Sequence, residues 1–122
     1  NYTGRKLIDD LDAKGSLKVL WDPANNCWCH ERAFPAGYEE VKDGYLGHVH
    51  IKDVQVDTPR ATLEVRRMGE GQLADQFQPM ADAMRADGYT GVISFESVYH
   101  PGNGNFEDGF RQSIGLFKSL FE

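Results

Sequence analysis

The sequence predicts an α/β fold in which short parallel strands alternate with amphipathic helices, and three observations carry that reading. Short apolar runs rich in Val, Ile, Leu and Phe recur at residues 17–21, 48–52 and 91–95. Between and after them lie segments whose apolar residues repeat at helical spacing, and such alternation implies parallel pairing through crossovers, with helices packed outside the sheet. Each run also carries, at or near its end, a residue that can ligate a metal: Asp22, His50 and Glu96.

Taken in order, Thr3 is placed to cap a helix with Leu7, Ile8 and Leu11 on one face, closed by Gly15. Leu17-Lys18-Val19-Leu20-Trp21 is the first strand. Residues 22–35 have the Pro, Asn and Cys content of an irregular loop, and residues 38–45 supply a short helix before Gly47. The second strand is His48-Val49-His50-Ile51-Lys52. Val54 and Val56, a Thr58-Pro59-Arg60 turn, then Leu63 and Val65 predict a small hairpin excursion, followed by a Gly69-Glu70-Gly71 loop. The next helix sets Leu73, Phe77, Met80 and Met84 at i, i+4, i+7 and i+11 and ends at Gly88, a well-defined core stripe. Gly91-Val92-Ile93-Ser94-Phe95 is the third strand. A last helix, starting near Asn105, aligns Phe106, Phe110, Ile114, Phe117 and Phe121. Three βα units result, with no linker, low-complexity tract or clear repeat, so residues 1–122 read as one domain.

Composition narrows the function. With 13 Lys+Arg against 19 Asp+Glu, the net charge is −6, and no basic stripe of the kind that grips a phosphate backbone is present. Nucleic acid is therefore not the expected partner. No apolar run approaches the roughly 18 residues of a membrane-spanning helix, and the residues after Asn1 lack the basic and apolar regions of a signal peptide. The two cysteines, Cys27 and Cys29, are too close for an ordinary disulfide. Cys27-Trp28-Cys29-His30 has no second Cys/His pair at zinc-site spacing, which favours free thiols in a reducing, cytoplasmic setting.

Side chains alternate between the faces of a strand, so the parity of the three candidate ligands can be read against their neighbours. Taking Val19 and Trp21, Val49 and Ile51, and Ile93 and Phe95 as helix-facing leaves Leu20 and Asp22, His48, His50 and Lys52, and Ser94 and Glu96 on the opposite face. Alone, each ligand has an ordinary structural role: Asp22 as a helix or turn cap, His50 as a hydrogen-bonded core histidine, Glu96 as a salt-bridge partner. Their shared face favours a divalent-metal site, because two carboxylates and an imidazole suit a hard or borderline ion, and barrels carry their chemistry at the C-terminal ends of their strands.

Trp21-Asp22-Pro23-Ala24-Asn25, His50-Ile51-Lys52-Asp53, Gly69-Glu70-Gly71 and Ser94-Phe95-Glu96 together resemble, in order and spacing, the xylose-isomerase-like sugar isomerase/epimerase family over nearly the whole chain. The resemblance implies a (β/α)₈ TIM barrel, of which this chain would be the C-terminal part, since a complete barrel takes about 250 residues. It implies a divalent ion (Mn, Zn, Co or Mg) held by two glutamates, an aspartate and a histidine. Asp22, His50 and Glu96 match three of these. The other glutamate is expected a few residues before Asn1, and a chain with Glu96 alone is expected to be inactive by itself.

By the same resemblance Glu96 is a catalytic carboxylate, with Asn25, Lys52, Arg67 and His100 as substrate contacts, while His30 and His48 read as structural. The implied reaction is isomerisation or epimerisation of a sugar or sugar phosphate through an enediolate. The alternatives are an inosose-type keto-polyol dehydratase, an apurinic-endonuclease-like hydrolase and a non-catalytic fragment. The hydrolase reading meets an obstacle, because no histidine lies between the His50 strand and the Glu96 strand to supply the Asp-x-His pair it needs. An unclosed parallel sheet exposes edges and an apolar interior, which favours a homo-oligomer.

Overall fold

The computed structural model describes residues 2–122. In chain order it contains α1 (Tyr2–Asp10), β1 (Val19–Trp21), α2 (Pro23–Trp28), β2 (Leu46–Ile51), β3 (Asp53–Asp57), β4 (Thr62–Arg66), α3 (Phe77–Ala86), β5 (Val92–Phe95) and α4 (Phe106–Phe121). β1, β2 and β5 form a parallel sheet in the order β1-β2-β5, and β3 and β4 form a separate antiparallel hairpin. The expected α/β architecture, three parallel strands alternating with helices plus a hairpin excursion, is the one observed.

Register brings the ligand-bearing strands together. Trp21 pairs with Val49, and Val49 in turn with Ile93, while His50 lies beside Ser94 and Ile51 beside Phe95. Trp21, Val49 and Ile51 are fully buried under the helices, and so are Leu73, Phe77, Met80 and Met84 of the α3 stripe. Each of these large side chains stabilises the fold by roughly 1.5–3 kcal/mol through area removed from water. The other face of the sheet is open: Leu20 is 49 % and Val92 61 % exposed, on the side a closed barrel turns inward. The face assignment from parity is therefore the observed one.

Several local expectations are corrected. α1 ends at Asp10 rather than at Gly15, because Asp12 takes the left-handed conformation (φ 49°). The Asp12 N–H then donates to the Asp9 carbonyl (3.0 Å) and the Ala13 N–H to the Ile8 carbonyl (2.9 Å), which closes the helix without glycine. Ile8 is buried, but Leu7 and Leu11 are exposed. Residues 22–35 are not an irregular loop throughout. Asp22 caps α2, its carboxylate accepting the Asn25 N–H at 3.0 Å, and Pro23 supplies a preset φ in the first turn. Residues 38–45 are mostly turns rather than a helix. α4 starts where expected, on a reciprocal capping box between Asn105 and Asp108. Its stripe is buried only toward the C-terminal end, where Phe117 packs on Phe95 at 5.4 Å, while Phe106 lies beyond the sheet and is 60 % exposed.

One buried carboxylate organises the loops above β2. Asp53 accepts the backbone N–H groups of Val54 (2.9 Å), Gly69 (3.0 Å), Gly71 (2.8 Å) and Leu73 (3.2 Å). Burial raises its pKa above the ordinary carboxyl value, and the backbone donors pull in the opposite direction. This explains the Gly-Glu-Gly spacing. Gly69 has φ 89°, and a Cβ on Gly71 would stand 2.2 Å from the Asp53 Oδ1. The loop is tied to the residue that follows Lys52, so the strand end carrying Lys52 is held in place.

Asp53→Ala leaves four backbone donors without their acceptor, those of Val54 and Leu73 buried, and is expected to lower the unfolding free energy by roughly 3 kcal/mol in urea denaturation. Gly71→Ala should cost a similar amount, whereas the exposed Glu70→Ala should stay within about 0.5 kcal/mol.

Candidate metal centre

Asp22 follows β1, His50 lies in β2 and Glu96 follows β5, so three adjacent parallel strands deliver one candidate ligand each. A potential ligand atom from each lies within 4.8 Å of the other two. The Glu96 N–H donates to the Ile51 carbonyl at 2.9 Å, extending the β2–β5 pairing by one step and fixing Glu96 beside His50. His50 Nδ1 is 3.5 Å from Glu96 Oε2.

Lys52 lies within this cluster. Its Nζ donates to Asp22 Oδ2 at 2.5 Å and to Glu96 Oε2 in a shorter contact, and its side chain is only 5 % exposed. Burial works against the ammonium, but the hydrogen bonds it donates to Asp22 and Glu96, with their charges, outweigh it and raise the Lys52 pKa above the ordinary lysine value. For Glu96, burial pushes upward, and the hydrogen bond and charge of Lys52 prevail, holding the carboxyl below its usual value. The indole of Trp28, at the end of α2, has its ring centroid 5.2 Å from the same Nζ.

Asp22 has two roles. Oδ1 caps α2 through the Asn25 N–H while Oδ2 faces Lys52, so capping leaves the second oxygen turned toward the cation. His48, expected to be structural, braces the site: its Nε2 lies 2.6 Å from Ser94 Oγ, and its ring meets that of His50 edge-on at 5.0 Å. Sequence parity had already put His48 and Ser94 on the ligand face, which is the signal that could have identified this support.

The other candidates lie in different surroundings. Asn25 is exposed on α2, three positions from Asp22. Arg67 is exposed and directed toward α4, its Nε donating to the Gln112 carbonyl at 3.1 Å and its NH1 to Glu70 at 3.2 Å. His100 is exposed, with its ring packed edge-on against Phe106 at 5.3 Å. The structure thus brings Asp22, His50, Lys52 and Glu96 together, and none of the polar contacts of Arg67 involves them. Asp53 and the Gly69–Gly71 loop, motif residues with no role expected from the sequence, prove to be the support of the Lys52 strand end.

Two carboxylates and an imidazole within a few ångströms are a fitting donor set for a divalent cation, and the ammonium lying on both carboxylates shows that the cluster already stabilises positive charge. Residues 2–120 match the family described as xylose isomerase-like TIM barrel, and the chain belongs to that family. It is accordingly part of a TIM barrel, in a family of mostly enzymes that includes sugar isomerases, epimerases and apurinic-site endonucleases and often binds divalent metals. No curated protein and no solved structure matches the chain. Among the described residues no helix is long and apolar enough to cross a membrane.

The double role of Asp22 separates under mutation. Asp22→Asn keeps a capping oxygen and loses the charge, whereas Asp22→Ala loses both. Calorimetric titration is expected to show Mn²⁺ affinity at least tenfold weaker in both variants, and thermal unfolding should show Asp22→Ala less stable than Asp22→Asn by about 1 kcal/mol.

Proposed function

We propose that this chain carries the metal-binding part of a divalent-metal-dependent isomerase or epimerase acting on a small sugar or sugar phosphate. The observation that carries the reading is the convergence of Asp22, His50 and Glu96 at the C-terminal ends of three adjacent parallel strands, with the Lys52 ammonium among them. Barrel enzymes place their chemistry at that end. Asp22, His50 and Glu96 would hold the ion, with a second glutamate from the preceding strand of the barrel as the fourth ligand.

Isomerisation and epimerisation both begin with the loss of a proton from a carbon beside a carbonyl, a weak acid in water. When bound, the ion supplies Lewis acidity toward a carbonyl and its neighbouring hydroxyl. Glu96, kept ionised by Lys52, serves as the carboxylate that takes and returns the proton. Lys52 keeps a positive charge beside the site, where negative charge gathers on the substrate oxygen. Asn25 and His100, both exposed, are assigned to substrate hydroxyls, and Arg67 to a phosphate or distal hydroxyl once its contacts with Gln112 and Glu70 open. The acidic balance of the chain and the absence of histidine between residues 51 and 95 weigh against a nuclease. We place the reaction in the cytoplasm, on the evidence of the two unpaired cysteines.

Incubation of ketoses and ketose phosphates in D₂O with Mn²⁺ and a full-length barrel containing this chain is expected to give deuterium at the carbon beside the carbonyl, followed by NMR. Glu96→Gln should slow that exchange by about 10²–10⁴-fold. Cleavage of abasic-site DNA without any carbon–deuterium exchange would overturn the proposal, and loss of water from a keto-polyol would move it to a dehydratase.

A further inference from the structure

Lys52 presents a cation to the same carboxylates that a divalent ion would use. Its Nζ bonds one oxygen of Asp22 and one of Glu96, and the side chain is almost fully enclosed. Two like charges cannot share those oxygens without strong repulsion, because the site is shielded from water on the Asp22 side. The ammonium nevertheless has another place to go. The face of Trp28 lies 5.2 Å from Nζ, within cation–π range, and the four-carbon stem of lysine lets the head move while β2 and the Asp53 anchor stay fixed.

We infer that Lys52 is a two-position cation: it holds Asp22 and Glu96 together before the divalent ion arrives, and moves toward the Trp28 ring when the ion takes its place. This rests on the metal reading given above and adds to it a built-in competitor. The competitor offsets the mutual repulsion of two carboxylates, at the expense of metal affinity. It also gives the site ion selectivity by charge, because a monovalent ion offers the carboxylates no more than the ammonium already does. Trp28 thereby becomes a positioning residue for Lys52, and the short α2, capped by Asp22 and ending at Trp28, links one carboxylate of the first resting place to the ring of the second.

The test titrates Mg²⁺ and Zn²⁺ into the unmodified chain and into Lys52→Met, following heat and tryptophan emission, with Trp28→Phe to assign the signal. Lys52→Met is expected to bind either ion at least tenfold more tightly than the unmodified chain. In the unmodified chain emission should change on saturation, and that change should vanish in both Lys52→Met and Trp28→Phe, since the remaining Trp21 is fully buried in the core. Should Lys52→Met fail to fold without metal, the emission change in the unmodified chain and its loss in Trp28→Phe still decide the matter. Saturable binding with equal affinity in the unmodified chain and Lys52→Met, or with no change in Trp28 emission, overturns the two-position cation while leaving the metal site standing. Absence of binding in every variant overturns the metal reading and this inference together.

Discussion

The buried ammonium of Lys52, shared between Asp22 and Glu96, is the interaction on which the arrangement of the site depends. Two carboxylates and a lysine at adjoining strand ends are costly to desolvate, and they persist only where the backbone fixes their geometry and the ammonium is shared between both carboxylates. Both conditions are met. Parallel pairing of β1, β2 and β5 sets the spacing of the strand ends, and the β5 pairing continues through Glu96. Removing Lys52 leaves two neighbouring carboxylates with no partner in a site built around pairing.

The surrounding structure serves that geometry. Asp53 uses four backbone donors to lock the Gly69–Gly71 loop against the end of β2, which explains why a motif of small residues lies so far from the ligands in sequence and so near them in space. α2 grows directly out of Asp22, so the same residue starts a helix and offers an oxygen to a cation. His48 and Ser94 brace His50 from the same face. Beneath this layer, Trp21, Val49 and Ile51 anchor the strands in a core filled by Phe77, Met80 and Met84. The layers are coupled because alternate residues of one strand belong to each.

Much of this was legible in the sequence because it follows from period and parity. The alternation in His48-Val49-His50-Ile51-Lys52 separates a buried face from a chemical face, and the i, i+4, i+7 spacing of Leu73, Phe77 and Met80 marks α3 as a core helix. What escaped was decided by local hydrogen bonds. Nothing in the periodicity shows that Asp12 will adopt a left-handed conformation and end α1 before Gly15. α2 was hidden among residues that read as loop formers, although Asp22-Pro23 carries both a cap and a first-turn proline. The direction of Arg67 toward Gln112 depends on where α4 docks, a tertiary fact with no counterpart in local sequence. The pairing of Lys52 with two ligands likewise depends on three strand ends meeting, and shared parity reveals the face but not the contact.

Asp22, His50 and Glu96 are proposed to form one cation site. Its most direct test is the metal content of the purified chain after Mn²⁺ or Zn²⁺ reconstitution, measured by plasma mass spectrometry beside His50→Ala and Glu96→Ala. About one ion per chain is expected, the stoichiometry of a single shared ligand set, with a marked fall in each variant. Metal content that stays the same when His50 or Glu96 is removed would contradict it.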